Sequence, residues 1–270
     1  MKTPKTDYGT LLSPPPCSAP FWADDLATVY RGECLTVMWN LPSNAATICI
    51  TDPPYSSGGM MRGDRQKDCR SKYQQSGTEK TYEEFSGDTR DQRGFEAWCS
   101  IWMNEMRRII VPGGILATFV DWRQLPVMTD ALQAGGWVWR GVVPWWKPSA
   151  RPIQGRWKNA CEYLVWGTNG PRALEGKPFE GFYRCNVASD KLHMTEKPVQ
   201  LLQELLAIAH EPDACVIDPF MGSGTTLKAA KQLGKRCIGI EINEAICQVA
   251  VDRLKTPDQP ALDFGQNIRY

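Results

Sequence analysis

The segment between Cys215 and Glu241 restricts the fold of this chain more strongly than any other stretch. It starts with the short apolar run Cys215 to Asp218, passes through a turn containing Gly222 and Gly224, and ends with a second apolar run, Lys235 to Glu241. Short apolar runs bounded by turn residues are typical of buried strands, and glycine lets the backbone bend sharply and approach a ligand. A strand, a glycine turn, a helix and a second strand that ends in an acid form the nucleotide-binding half of a Rossmann-like fold.

The glycine turn also indicates which nucleotide the segment would bind. The spacing in Asp218-Pro219-Phe220-Met221-Gly222-Ser223-Gly224-Thr225-Thr226 differs from the dinucleotide fingerprint, and no Gly-Lys-Thr is present to hold a triphosphate. An adenosine ligand without phosphates therefore fits better than NAD or ATP, with the terminal acid Glu241 on the ribose hydroxyls.

A second turn, Thr51-Asp52-Pro53-Pro54-Tyr55, follows the apolar run Ala46 to Ile50. Two consecutive prolines fix their own φ angles and favour extended geometry in the residue before them, so the turn is expected to be stiff. It would present a carboxylate, carbonyls without neighbouring N–H groups and an aromatic ring, which together can hold a planar amine such as a nucleobase. A proline-rich turn with an incidental tyrosine is the alternative at this point.

The two turns together resemble the amino-methyltransferases that modify DNA with S-adenosylmethionine. The catalytic turn precedes the cofactor turn, an order that resembles the β class of that family. His193 to Pro198 is similar to the family's segment before the cofactor strand, and Tyr30 to Leu35 to its opening segment. The resemblance covers roughly residues 28 to 254. It implies methyl transfer to an exocyclic amine of a base flipped out of duplex DNA.

The resemblance assigns roles residue by residue. The catalytic positions are Asp52, Pro53, Pro54 and Tyr55, with Asp52 and the Pro53 carbonyl accepting the amine hydrogens and Tyr55 stacking on the base. The cofactor positions are Asp218, Phe220, Gly222, Gly224, Thr225, Glu241, Asn243, Lys197, Glu33 and Cys34. Lys197 is expected near the methionine carboxylate. Many relatives have Asp where this chain has Glu33, so the role of Glu33 on the adenine ring is the least defined.

Adenine N6 is the expected target atom, because Asp at the first position of the catalytic turn resembles the adenine enzymes, whereas Ser is commoner in cytosine N4 enzymes. Cytosine-N4 methylation is the nearest alternative. A DNA- or RNA-binding regulator that kept the fold without the activity is the alternative from another class, and a protein or small-molecule methyltransferase is the third. No endonuclease motif is evident in the chain, which favours a solitary or phage-type enzyme.

Strands and helices alternate from both ends of the chain, which predicts an α/β fold with a mostly parallel sheet covered by helices on both faces. We expect one methyltransferase domain at residues 21–270 after an extended arm at residues 1–20, with DNA-recognition insertions at about 56–94 and 144–190.

The composition of the chain restricts its cellular compartment and its partners. The ten cysteines are scattered, no apolar leader or membrane-length run occurs, and the two histidines are too few for an ordinary zinc site. These features predict a reduced cytoplasmic protein with no metal and no membrane partner. Members of the family often form dimers, so a homodimer stays open.

Double-stranded DNA is the expected partner, and its binding must come from local patches because the net charge is only +1. Two segments are candidates. The polar stretch after the catalytic turn is rich in basic residues, and the stretch between two predicted strands has four cations and no acid over residues 147–158. The predicted DNA-binding residues are Arg62, Arg65, Arg70, Lys147, Arg151, Arg156 and Lys158. Solvated loops are the alternative for both.

Overall fold

The computed structural model describes residues 19–54, 90–150, 152, 154–173, 175–187 and 196–256. These residues form a single sheet with helices on both sides. The strands are β1 (Trp22–Ala23), β2 (Ala27–Arg31), β3 (Ala46–Thr51), β4 (Ile110–Val120), β5 (Val138–Trp146), β6 (Cys161–Thr168), β7 (Tyr183–Arg184), β8 (Cys215–Asp218) and β9 (Arg236–Glu241). The helices are α1 (Cys34–Met38), α2 (Gln92–Ile109), α3 (Leu125–Ala134), α4 (Val199–Leu206), α5 (Thr225–Gln232) and α6 (Glu244–Lys255).

The strand order across the sheet is β1-β2-β9-β8-β3-β4-β6-β5-β7. Strands β2, β9, β8, β3 and β4 run parallel, which confirms the predicted α/β class. The strands at the two edges of the sheet include antiparallel pairs: β1 is antiparallel to β2, and β6 lies between β4 and β5 and is antiparallel to both. Since β4 and β5 are both antiparallel to β6, they run in the same direction. The carboxyl ends of β2, β9, β8, β3, β4 and β5 therefore share one edge of the sheet, and β6 begins there.

Two hydrophobic cores lie on the two faces of the sheet. On one face the leucines at positions 201, 202, 205 and 206 of α4 pack with residues of α5 and α6. On the other face α1, α2 and α3 cover the sheet, with Trp102, Met106 and Met128 fully buried. Apolar residues repeat at helical spacing on one side of each helix, so burial of these stripes orients the helices against the sheet.

The apolar residues from Phe95 onward have helical spacing, which predicts a helix over residues 95–110 that ends at Pro112-Gly113-Gly114. In the structure α2 begins earlier, at Gln92, because the Asp91 carboxylate accepts a hydrogen bond from the Gln92 amide at 2.8 Å. Strand β4 includes the expected proline–glycine stop, with a register shift against β3. A Cβ at Gly114 would lie 2.6 Å from the carbonyl oxygen of Thr47, so only glycine fits this close approach of two backbones.

Several predicted features lie outside the described residues: Tyr55, Arg62, Arg65, Arg70, Arg151, almost all of the arm at residues 1–20 and most of the insertion at 56–94. Within the described residues, no helix has the length and apolar character needed to cross a membrane. The eight cysteines in this part of the chain are all free thiols, and six of them lie in strands or helices of the two cores.

Candidate active site

The two turns singled out by the sequence lie side by side at the carboxyl edge of the sheet. Strands β3 and β8 are hydrogen-bonded neighbours, with Ile48 opposite Val216. The hydroxyl of Thr51, at the end of β3, donates a 2.6 Å hydrogen bond to a carboxylate oxygen of Asp218 at the end of β8. This buried contact links the strand that leads to Asp52 with the strand that leads to the glycine turn. The two turns therefore lie next to each other in space.

The glycine turn has a backbone that only glycine adopts comfortably at its last position. Gly224 has a φ of 79° and precedes the first residue of α5, and a Cβ there would lie 2.9 Å from the Cβ of Ala250 in α6. The close contact between the turn and α6 thus leaves no room for a side chain at position 224. The turn is also held from α6 by Arg253, whose guanidinium bonds to the hydroxyls of Ser223 and Thr225.

Arg253 forms a buried ion pair with Glu196 at 2.7 Å. This pair links α6 to the segment just before α4, so one guanidinium holds both walls around the turn. Nothing in the periodicity of α6 distinguishes Arg253 from an ordinary basic residue near a helix C-terminus. The sequence analysis missed it for that reason.

Glu241 is the last residue of β9, and its contact with ribose hydroxyls stays a prediction. Strand β9 pairs with both β2 and β8, and the Glu241 carboxylate accepts a hydrogen bond from the Asn243 amide at 2.9 Å. Burial raises the pKa of Glu241 above its ordinary value, against the effect of backbone donors that include Gly222. Asn243 itself caps α6, accepting the amides of Ala245 and Ile246. Its predicted contact with the cofactor would be added to that capping role.

Phe220, in the glycine turn, packs in an aromatic cluster with two tryptophans of α2. Its ring centroid lies 5.3 Å from those of both Trp98 and Trp102 in α2. Phe220 is only partly buried. Its contact with the cofactor stays a prediction.

The opening segment has a structural role that the sequence left undefined. The Glu33 carboxylate caps α1 by accepting the Thr36 amide at 2.9 Å, and its other oxygen lies 3.2 Å from the thiol of Cys34. Strand β2 ends next to Glu241, since Arg31 pairs with it in register. Glu33 and Cys34 therefore lie near the predicted ribose site, and their contact with a cofactor stays a prediction.

Lys197 lies among carboxylates at the centre of the site. Its ammonium group pairs with Asp52 Oδ2 and lies 3.3 Å from Glu162 Oε2, and only 7% of its side chain is exposed. Burial would lower the pKa of Lys197, but the carboxylates of Asp52 and Glu162 outweigh burial and raise it. In this structure Lys197 thus neutralises the predicted catalytic carboxylate, while its predicted role near the methionine carboxylate remains untested.

Glu162 is a residue of the site that the sequence analysis missed. It also pairs with Lys147 at 2.7 Å, which completes a chain of alternating charges: Lys147, Glu162, Lys197 and Asp52. Burial would raise the pKa of Glu162, but the ammonium groups of Lys197 and Lys147 hold it below its usual value. The only indication in the sequence of β6 is that this acid stands near the start of an otherwise apolar strand. The start of β6 lies at the edge of the sheet with Asp52 only because β6 is antiparallel to its neighbours.

The predicted DNA-binding residues within the described chain have different surroundings. Lys147 is 17% exposed and engaged with Glu162, so it belongs to the charge chain of the site. Arg156 and Lys158 are exposed, and Lys158 donates to the carbonyl of Pro148 at 2.8 Å. The loop that carries them leaves β5 at the same edge as Asp52. Their contact with DNA stays a prediction.

Burial also sets a testable property of Asp218. Burial raises its pKa from 3.8 to about 6, although Thr51, Thr226 and the Phe220 amide donate hydrogen bonds that favour the ionised form. Because this pKa is higher in the folded than in the unfolded state, the free energy of unfolding of the protein falls as pH rises from about 4 through 6. Above that range the total loss is at most ~3 kcal/mol.

We therefore expect Asp218→Asn to remove this decline, because an amide of the same shape keeps an oxygen acceptor and does not ionise. Urea unfolding between pH 4 and pH 7.5 measures it. The free energy of unfolding of the variant, relative to the wild type, should increase by about 1–3 kcal/mol from the acid to the neutral end. Parallel curves for the two proteins would contradict the raised pKa.

Comparisons with known proteins agree with this geometry. The family model described as DNA methylase (N6_N4_Mtase) matches residues 46–184 and 174–252. The chain is 30% identical over 225 residues to YubD of Escherichia coli K12, named as a methylase, covering 83% of this chain and 88% of that protein. It is 24% identical over 262 residues to the type II methyltransferase M.HinfI of Haemophilus influenzae, covering 86% of this chain and 69% of the relative.

Solved structures share the fold at lower identity. A complex of M1.HpyAVI with SAM superposes with a TM-score of 0.61 at 22% identity, covering 86% of this chain and all of that chain. The cytosine-N4-specific PvuII DNA methyltransferase superposes with a TM-score of 0.65 at 17% identity, covering 93% of this chain and 90% of that one. The fold, the paired turns and the match over most of the sequence agree, and the chain belongs to the N6/N4 family of DNA methyltransferases.

Proposed function

We propose that this enzyme transfers a methyl group to the exocyclic N6 of adenine in duplex DNA. The observation that carries the proposal is the adjacency of β3 and β8, joined by the 2.6 Å hydrogen bond from Thr51 to Asp218. It sets a turn of the Asp-Pro-Pro type beside the glycine turn, which we assign to an adenosine ligand. A methyl donor and an acceptor amine bound to these two turns would meet at one edge of the sheet.

The methyl donor is S-adenosylmethionine, which supplies an activated methyl on a sulfonium when it is bound. The residues present fit such a ligand. The glycine turn brings backbone close to the site, the buried carboxylate of Glu241 suits ribose hydroxyls, and Phe220 offers a ring surface. Gly222 and Thr225 line the same turn. Among the described residues, no group of three or more His, Cys, Asp or Glu side chains is arranged for a metal ion.

Asp52 and the Pro53 carbonyl would accept the two hydrogens of the target amine. Accepting both hydrogens draws the nitrogen lone pair out of conjugation with the ring. The lone pair would then be directed at the methyl group that it displaces from the sulfonium. Lys197 supports this role because its ammonium group pairs with Asp52 Oδ2 and holds the carboxylate in position. Much of the acceleration would come from orientation and fixed dipoles.

A base inside a duplex cannot reach a buried edge of this kind, so the target base must leave the stack, at a cost of a few kcal/mol. Tyr55, which follows the two prolines, is the residue proposed to stack on the extruded ring. Pro54 would keep the turn stiff during this step.

Cytosine N4 is the alternative target, because its amine needs the same two acceptors. Asp at the first position of the turn supports adenine through the family resemblance. Modification-sensitive sequencing of DNA from cells with and without the protein tests the proposal, since it reports the modified base and its sequence context together. We expect N6-methyladenine at a defined site only in cells that have the protein. Modified cytosine at that site would contradict the adenine assignment.

The loop between β5 and β6 is proposed to contact the phosphates of the duplex. Replacing Arg156 or Lys158 with alanine should reduce the slope of log affinity against log salt by about 0.9 for each phosphate that the variant no longer neutralises. DNA binding measured at several salt concentrations gives the slope. Lys235, which precedes β9 at the opposite edge of the sheet, provides the control substitution. An unchanged slope in both variants would move DNA binding to Arg62, Arg65 and Arg70.

A further inference from the structure

Trp157 is more exposed than any other large apolar side chain in the described part of the chain, at 95%. A single exposed apolar residue is common on protein surfaces and by itself indicates nothing. Three further observations distinguish Trp157: the edge of the sheet from which its loop extends, the contacts that fix the loop, and the charges on both sides of the ring.

The loop extends from the edge of the sheet that carries Asp52. Strand β5 runs parallel to β4, so its last residue, Trp146, lies at the carboxyl edge, where β6 also begins. The first residue of the loop, Lys147, is connected to Asp52 through Glu162 and Lys197, each contact joining neighbouring side chains. The base of the loop therefore lies beside the proposed site of the target amine.

The base of the loop is fixed by hydrogen bonds. The Lys147 amide donates to the carbonyl of Ala160 at 2.7 Å, and the Ser149 amide donates to the side chain of Asn186 at 3.2 Å. Close to Trp157 itself, the ammonium group of Lys158 reaches back across the loop to the carbonyl of Pro148. These contacts hold both arms of the loop, so the indole is presented to solvent from an anchored support.

The charges beside the indole match a nucleic acid. Arg156 and Lys158 flank Trp157, and residues 147–158 contain no acid. Cations beside an aromatic plate fit phosphates beside a base stack, because each base offers a ring surface and each phosphate a negative charge. An acidic protein partner would match the cations but would offer no reason for a fully exposed indole between them.

We propose that Trp157 inserts into the base stack beside the target nucleotide and stacks there when the base is flipped out. This inference rests on the proposed function, since it concerns the same duplex and the same flipping step. Base–aromatic stacking is comparable in free energy to the few kcal/mol that unstacking costs, so one indole can offset much of the cost. In this role Trp157 positions the DNA and does not touch the reacting atoms.

The test compares two duplexes that carry the site mapped for the wild-type enzyme. In one duplex the target base is paired, and in the other it lies opposite an abasic position, which lowers the cost of flipping. We expect Trp157→Ala to reduce kcat/KM on the paired duplex by roughly 5- to 150-fold and on the abasic duplex by no more than a few-fold. Trp157→Phe should keep most of the activity on both.

Trp139→Ala is the matched control. Trp139 is also exposed, at 44%, but it lies near the start of β5 at the opposite edge of the sheet. Its replacement should change neither rate. Thermal unfolding of all three variants checks that the fold is intact.

Two results would overturn the inference while the wild type methylates DNA normally. One is an alanine variant at position 157 as active as the wild type on the paired duplex, and the other is an equal loss on both duplexes. Failure of the wild type to methylate either duplex would instead overturn the proposed function, and this inference with it.

Discussion

Replacing Asp52 with alanine is expected to reduce the rate of methyl transfer by roughly 10²- to 10³-fold, the usual effect of removing one placed acceptor or donor from a reacting group. The affinity for S-adenosylmethionine should stay within a few-fold of the wild type, because Asp52 is assigned to the target amine and not to the cofactor. Calorimetry and single-turnover methylation measure the two quantities.

The alanine variant also loses the partner of Lys197, so its folding must be checked independently. Lys197 keeps Glu162 as a second partner, which limits the loss of stability. Asp52→Asn keeps the side-chain volume and one oxygen acceptor, and it should therefore retain more activity than the alanine variant. A folded alanine variant that bound the cofactor more than tenfold more weakly would contradict this division of roles.

Lys197→Met is expected to reduce the free energy of unfolding by about 3–5 kcal/mol, the usual result of removing one partner from a buried ion pair. Lys197 lies between the carboxylates of Asp52 and Glu162, and its loss removes this cation from Asp52 and leaves Glu162 with Lys147. Methyl transfer should fall as well, since the ammonium group pairs with Asp52 and holds the carboxylate in position.

The pH dependence of the Lys197→Met variant has a definite sign. With the ammonium gone, Glu162 keeps only Lys147 to oppose the effect of burial, so its folded-state pKa rises and stability is lost as pH rises through the new value. The deficit against the wild type should be larger at pH 8 than at pH 5, as measured by urea unfolding. Glu162→Gln in the same chain should recover part of it. An equal deficit at both values of pH would contradict the charge-based explanation.

The parts of the site that depend on local sequence were predictable. The apolar run before Asp52 and the run before Asp218 each end at a turn, and strand ends of a parallel sheet meet at one edge. The alternation of strands and helices further predicted the class of sheet. The family resemblance, confirmed by the match over residues 46–184 and 174–252, indicated the cofactor.

The charge chain was not predictable, because it depends on strand order. Lys147 and Glu162 meet only because β6 runs antiparallel beside β5, and hydrophobic periodicity does not indicate which strand lies beside which. Lys197 and Asp52 are 145 positions apart in the sequence. The resemblance assigned Lys197 to the cofactor, whereas the fold brings it to Asp52, the predicted catalytic carboxylate, a contact that only the three-dimensional arrangement could reveal.

Mass spectrometry of nucleosides tests the central claim most directly. Duplex DNA incubated with S-adenosylmethionine and either the wild-type protein or the Asp52→Ala variant would be digested completely and its modified nucleosides identified. The adenine-N6 proposal predicts N6-methyladenine with the wild type and at most a trace with the variant. N4-methylcytosine as the product, or no modified nucleoside from a folded wild-type protein that binds the cofactor, would contradict it.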